Sequence, residues 1–232
     1  MAPALAAIIL LRSAGPAWRA ARWPAGAALV AGHLPFVLAG HGDDLLRLYR
    51  DAALTTQRLS YSAYNLWWPV TRMLGPRSTD PAISLGGLQV TWGLLAAALV
   101  AGAYTVTAIA LLRRRGDAGA LLACAYLIYG FAVVGAGIHE RYSLPAVAFL
   151  APALPLARVW APVALGVSAT LTVNVVMTLP FDKLYRQGEP VWLALGVAAA
   201  NVATLALATR LMLACPRSYR VGPHEQAPRK HD

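Results

Sequence analysis

Charge is the scarcest property of this chain. Of its 232 residues only 13% are charged, 58% are hydrophobic, and the mean hydropathy is +0.54. A soluble globular chain carries about 25% charged residues, so soluble classes are excluded and an integral membrane protein is expected. Lysine is nearly missing: apart from Lys183 and Lys230, arginine supplies every basic side chain. The net charge of +10 is explained by membrane topology, and no nucleic-acid partner is expected. Cysteine is limited to Cys124 and Cys215, both in apolar runs and far apart, which gives neither a disulfide framework nor a metal site. No serine elbow, paired metal ligands or haem-ligand pattern appears, which leaves hydrolase and redox functions without support. No metal and no cofactor is expected. The apolar segments lack the alternation of a barrel strand, so helices are the expected spans. Internal repeats are missing too. Residues 1–12 are apolar, but no basic segment precedes them and no clear cleavage site follows, so no conventional signal peptide is expected.

What is present is a series of apolar runs separated by short polar segments. A span needs about 20 apolar residues. The length therefore predicts an all-α polytopic transmembrane bundle of six to seven spans, one domain over residues 1–215, with a disordered cytoplasmic tail at 216–232. Expected spans include 24–40, near the lower length limit, then Leu88 to Leu112, Ala118 to Gly137, Ala161 to Leu179 and Val191 to Ala214. Leu144 to Ala157 is short and carries Pro145, Pro152 and Pro155, which predicts an irregular or kinked helix. In the 41–85 loop, Asp43 and Asp44 read as a helix start. Leu45, Tyr49 and Ala52 follow at helical spacing, as in an amphipathic surface helix. Pro76, Pro81, Gly86 and Gly87 mark a loop into the next helix.

Orientation follows from basic residues. Placing 12–23, 113–117, 158 and 210–232 in the cytoplasm puts the larger share of Lys and Arg there, as the positive-inside rule requires. The expectation is a multi-pass protein of the inner (plasma) membrane with its C-terminal tail cytoplasmic. Three polar segments then share the extracytoplasmic face: 61–68, 137–145 and 181–189.

Two of these carry chemistry. Gly137-Ile-His-Glu-Arg-Tyr-Ser-Leu-Pro145 packs an imidazole, a carboxylate and a guanidinium into His139, Glu140 and Arg141, directly after an apolar run. Charge at that position is costly unless it is solvated, paired or functional. It reads either as an ordinary polar loop between helices or as a substrate-facing site. The stretch 60–69 places Tyr61, Tyr64, Trp67 and Trp68 within eight residues, beside Asn65. It reads either as an interfacial aromatic belt or as a pocket that stacks a sugar or grips a lipid carrier. His33 reads as a packed helix histidine, and Asn174 as an interhelical hydrogen bonder.

Together, in this order, the Asn65-Leu-Trp-Trp and His139-Glu-Arg-Tyr motifs resemble the C-terminal half of multi-spanning GT-C glycosyltransferases, over roughly residues 24–215. His139-Glu140 is similar to the His-Glu-Lys element of eukaryotic lumenal members. The resemblance implies a polyprenyl-phosphate sugar donor, transfer of a hexosyl group, mannosyl foremost, and an extracytoplasmic acceptor. It implies catalytic roles for His139, Glu140 and Arg141. It implies substrate contacts for Tyr61, Tyr64, Asn65, Trp67, Trp68 and Tyr142. Arg141 suits the leaving phosphate, because a guanidinium fork binds phosphate oxygens bidentately; Arg58 or Arg72 could assist. Family members are about twice as long, and their acidic catalytic loop follows the first span. No counterpart is evident here unless Asp43-Asp44 is that pair. The chain is therefore expected to be a fragment, or to use a separate chain that supplies the N-terminal half. Two other readings stay open: a non-catalytic membrane subunit that binds the lipid carrier, and a transporter or flippase.

Overall fold

The computed structural model describes residues 34–35, 37–44, 46–47, 59–60, 63–75, 77–113, 117–178 and 191–214. Tyr61, His33, Arg58 and Cys215 lie outside the described residues, as do most of the expected surface helix, including Leu45, Tyr49 and Ala52, the loop 181–189 and the tail. Residues 42–44 and 46–47 are helical.

The described chain is mostly helical. Helix α1 is Trp68–Leu74, α2 is Trp92–Arg113, α3 is Asp117–Val134, α4 is Leu144–Ala153, α5 is Ala161–Thr178 and α6 is Val191–Leu213. The physical reason is that apolar runs rich in Ala and Leu satisfy every backbone group internally only as helices. Three stretches, Trp92–Arg113, Arg158–Met177 and Val191–Leu213, are long and apolar enough to cross a membrane. Helices α3 and α4 are apolar but shorter. Lipid is thus the environment these faces fit.

Several boundaries differ from the sequence expectation; the span expected to run to Gly137 ends at Val134. The span expected from Leu88 begins at Trp92, because Pro81–Leu85 (β1) and Leu88–Thr91 (β2) pair as an antiparallel hairpin. Gly86 and Gly87 both have positive φ, 51° and 90°, and together form its two-residue turn. Such a turn needs left-handed residues, which glycine supplies at least cost. The hairpin is the one sheet among the described residues and a departure from an all-α chain. The proline-rich segment resolves into α4, which ends at Ala153, and a turn through Ala157. A single 3-10 turn, Arg158–Trp160, then leads into α5.

The core joins α2, α3, α4, α5 and α6. It contains Ala103, Ala110, Ala123, Ala146, Ala153 and Ala208, whose small side chains let helix backbones approach closely. Larger residues fill what remains: Tyr126, Tyr129, Leu150, Trp160 and Met212. Trp160 is 1% exposed and is the largest fully buried side chain among the described residues. Its replacement in Trp160→Ala should cost about 3–5 kcal/mol, the range for emptying a large aromatic site. A lowered unfolding midpoint in detergent, measured by circular dichroism, would show the loss; an unchanged midpoint would contradict the packing.

Candidate functional site

The site is built from a stretch that is not helical. Residues 59–60 and 63–67 lie against the C-terminal end of α3, the C-terminal half of α5 and the middle of α6. Leu59, Ser60, Ala63, Tyr64, Asn65 and Trp67 are all buried. A buried backbone without partners is costly, and the neighbouring helices meet that cost group by group. The Tyr64 N–H donates to Asn174 Oδ1 at 2.9 Å, and the Tyr64 carbonyl accepts from Asn201 Nδ2 at 2.8 Å. The Leu66 N–H donates to the Val133 carbonyl at 3.0 Å. Asn65 Oδ1 accepts from the Trp67 N–H at 3.1 Å, while its Nδ2 donates to the Gly135 carbonyl at 3.4 Å. Ser60 Oγ donates to the Ala63 carbonyl at 2.7 Å.

Asn201 stands near the middle of the 23-residue α6, about 15 Å along the axis from the first residue at 1.5 Å per residue. Its Oδ1 also accepts from the Tyr129 hydroxyl at 2.8 Å. Tyr129, Asn201, Tyr64 and Asn174 thus form one hydrogen-bonded chain linking α3, α6, the irregular stretch and α5.

The second motif is fastened to the first. The Gly137 N–H donates to the Leu59 carbonyl at 2.9 Å, and Ser60 and Ile138 pair as a parallel bridge. His139 follows at once, half-buried, with the Tyr142 ring edge-on at 5.9 Å. Residues Glu140–Ser143 form a 3-10 turn that leads into α4. For Glu140 and Arg141 the described part is the backbone.

Between the two motifs lies a small pocket. Its polar lining is Tyr64, Asn65, Tyr129, His139, Ser143, Asn174 and Asn201. The space open to water-sized spheres is about 10 Å³, which admits about one water molecule and no sugar ring. The lining offers neutral amides, hydroxyls and an imidazole, which suit hydroxyl or phosphate oxygens. No carboxylate belongs to the described lining. Among the described residues, no three of His, Cys, Asp and Glu gather as metal ligands.

No protein-family model, no curated protein and no solved structure matches this chain.

Of the residues singled out by sequence, the structure brings Tyr64, Asn65 and His139 together on the pocket. Trp67 and Trp68 do not line it. Trp67 donates from Nε1 to the Val134 carbonyl at 2.7 Å and packs edge-on to Trp92 at 6.2 Å. Trp68 sits in a cluster with Tyr64, Ala194, Val197 and Ala198. Tyr142 is 41% exposed beside His139. Asp43 and Asp44 are exposed and do not line the pocket; Asp44 pairs with His41 at 3.1 Å, a surface pair of little energetic weight. Asn174 bonds a buried irregular backbone rather than another helix through its Oδ1.

Sequence reasoning missed Tyr129, Ser143 and Asn201. A signal existed for Asn201: an amide in the middle of an apolar helix needs a buried partner.

The chain of hydrogen bonds makes a measurable claim. Asn201→Ala leaves the Tyr64 carbonyl and the Tyr129 hydroxyl without this partner, and should destabilise the fold by about 1–3 kcal/mol. Tyr129→Phe removes one donor and should cost less, about 0.5–1.5 kcal/mol. A double-mutant cycle on unfolding in detergent should give a nonzero coupling between the two; strict additivity would separate them.

Proposed function

We propose that this chain is a membrane glycosyltransferase of the GT-C type, or the C-terminal part of one. It transfers a hexosyl group, mannosyl foremost, from a polyprenyl-phosphate sugar to an extracytoplasmic acceptor. The observation that carries the reading is the union of the two resembling motifs. His139 and the Tyr64-Asn65 pair, more than 70 residues apart in sequence, line one polar pocket. As the sugar–phosphate bond breaks, negative charge grows on the leaving phosphate. His139 at the pocket edge and Arg141 two residues on are the groups suited to meet it. Glu140 orients them or takes the acceptor proton. The cavity is too small to enclose a sugar, so the donor binds at its mouth, with the prenyl chain along the apolar helix faces.

A second reading is a non-catalytic membrane subunit that binds the lipid carrier, with the chemistry supplied by a separate chain.

The test is the full chain in proteoliposomes, given radiolabelled polyprenyl-phosphate mannose and an acceptor extract, with and without a co-expressed partner chain. Transfer is expected. His139→Ala or Arg141→Ala should lower it by about 10- to 100-fold, the value of a hydrogen bond to a charged group. Binding of labelled donor without transfer would favour the carrier-binding subunit. Neither binding nor transfer under both conditions would reject both readings.

A further inference from the structure

The hairpin Pro81–Thr91 has one apolar and one polar face, and among the described residues most of the apolar face is left exposed, with Val90 half-buried. Paired residues across an antiparallel ladder project to the same side. Ile83 pairs with Val90 and Leu85 with Leu88, while Ser84 pairs with Gln89. The first two pairs form one face and the last pair the other. On the apolar face Ile83 is 46%, Leu85 69% and Leu88 65% exposed. A lone two-stranded hairpin is marginal in water and needs a surface to pack against.

The base of this hairpin is fixed to a candidate span. Strand β2 ends at Thr91, and α2 begins at Trp92 without a linker. The first N–H groups of a helix lack intrahelical acceptors, and here three are met by the hairpin base. The Trp92 N–H donates to the Asp80 carbonyl at 3.1 Å and the Gly93 N–H to the Ser78 carbonyl at 2.7 Å. The Leu94 N–H donates to Thr91 Oγ1 at 3.2 Å. A Cβ on Gly93 would meet the Ser78 carbonyl oxygen at 2.9 Å, so the approach needs glycine. The Arg77 N–H in turn donates to Asp80 Oδ2 at 2.7 Å. The apolar face is thus held at the end of a helix long and apolar enough to cross a membrane. The exposed Arg72 and Arg77 lie in the segment just before it, as cations at a phosphate headgroup layer do.

We propose that the hairpin lies in the membrane interface, with Ile83, Leu85, Leu88 and Val90 toward the acyl chains and Ser84 and Gln89 toward water. The occupant of the apolar face is lipid, continuous with the lipid around α2. This inference stands apart from the glycosyltransferase reading and survives its failure.

The test places a single nitrobenzoxadiazole-labelled cysteine at each of four positions, L85C, L88C, S84C and Q89C, in the full chain with Cys124→Ala and Cys215→Ala. Each variant is reconstituted into phospholipid vesicles. Labels at 85 and 88 should emit at shorter wavelength, be quenched by spin-labelled acyl chains and be shielded from aqueous iodide. Labels at 84 and 89 should show the reverse. Equal iodide access at all four positions would overturn the proposal, since the hairpin would then stand in water. Shielding at 85 and 88 without quenching by lipid would also overturn it, since protein, from this chain or a second copy, would then cover the face. Should the cysteine-free background not fold, the unmodified chain in vesicles containing a lipid with a diazirine-bearing acyl tail gives a second reading. Adducts on the peptide spanning 83–90 are expected, and adducts confined to the long helices would reject the inference.

Discussion

An irregular backbone buried inside a helix bundle is the constraint on which the rest of this structure depends. Helices in an apolar surrounding need nothing from their neighbours, because each peptide group is satisfied within its own segment. Residues 59–60 and 63–67 have only a partial internal solution, the Trp67 N–H on Asn65 Oδ1 and the Ala63 carbonyl on Ser60 Oγ. Their other buried N–H and C=O groups must find an acceptor or donor on another element or bear a desolvation cost of a few kcal/mol. Asn174 and Asn201, from two different helices, meet the two sides of Tyr64. Free carbonyls at the end of α3, on Val133, Val134 and Gly135, meet Leu66, Trp67 and Asn65. The C-terminal carbonyls of a helix have no intrahelical donors, so the end of α3 is where such a stretch can attach.

The same requirement shapes the pocket. Its polarity is largely that of the groups which hold the irregular stretch. Asn65, Asn174, Asn201 and Tyr129 have structural partners first and face the cavity second. His139 reaches the pocket because Gly137 and Ile138 are hydrogen-bonded beside Leu59 and Ser60. A change in the asparagines therefore moves the wall against which His139 is set. The tryptophans act differently: Trp67 and Trp68 are wedges that fill space on either side of the stretch, against α2 and α6. An aromatic-rich segment need not present its rings to a ligand when its backbone has to be buried.

Much of the architecture can be read from the residues in order. The apolar runs ending at Arg113 and beginning at Val191 are helices near the expected limits, because a run of that length in an apolar medium has one backbone solution. Pro145, Pro152 and Pro155 foretell a short helix followed by a turn, since proline removes a donor and crowds the preceding turn. The hairpin was also legible in principle, with Ile83, Leu85, Leu88 and Val90 alternating around Gly86-Gly87. Its second strand is masked by running directly into an apolar helix. Leu88 and Val90 then read equally well as the first turn of a span.

By itself, the sequence determined the helical membrane-type character, the positions of the long helices and the concentration of polar residues between them. These follow from local hydrophobicity and from backbone chemistry that acts within a few residues. Only the tertiary structure decided that Tyr64 meets Asn174 and Asn201, partners 110 and 137 residues away. It alone decided that His139 and Asn65 line the same pocket, and that Trp67 and Trp68 point into packed clusters. An asparagine in an apolar helix announces that it needs a partner but carries no address for one. That address is fixed only when the helices pack and one irregular stretch, with its unmet backbone groups, comes between them.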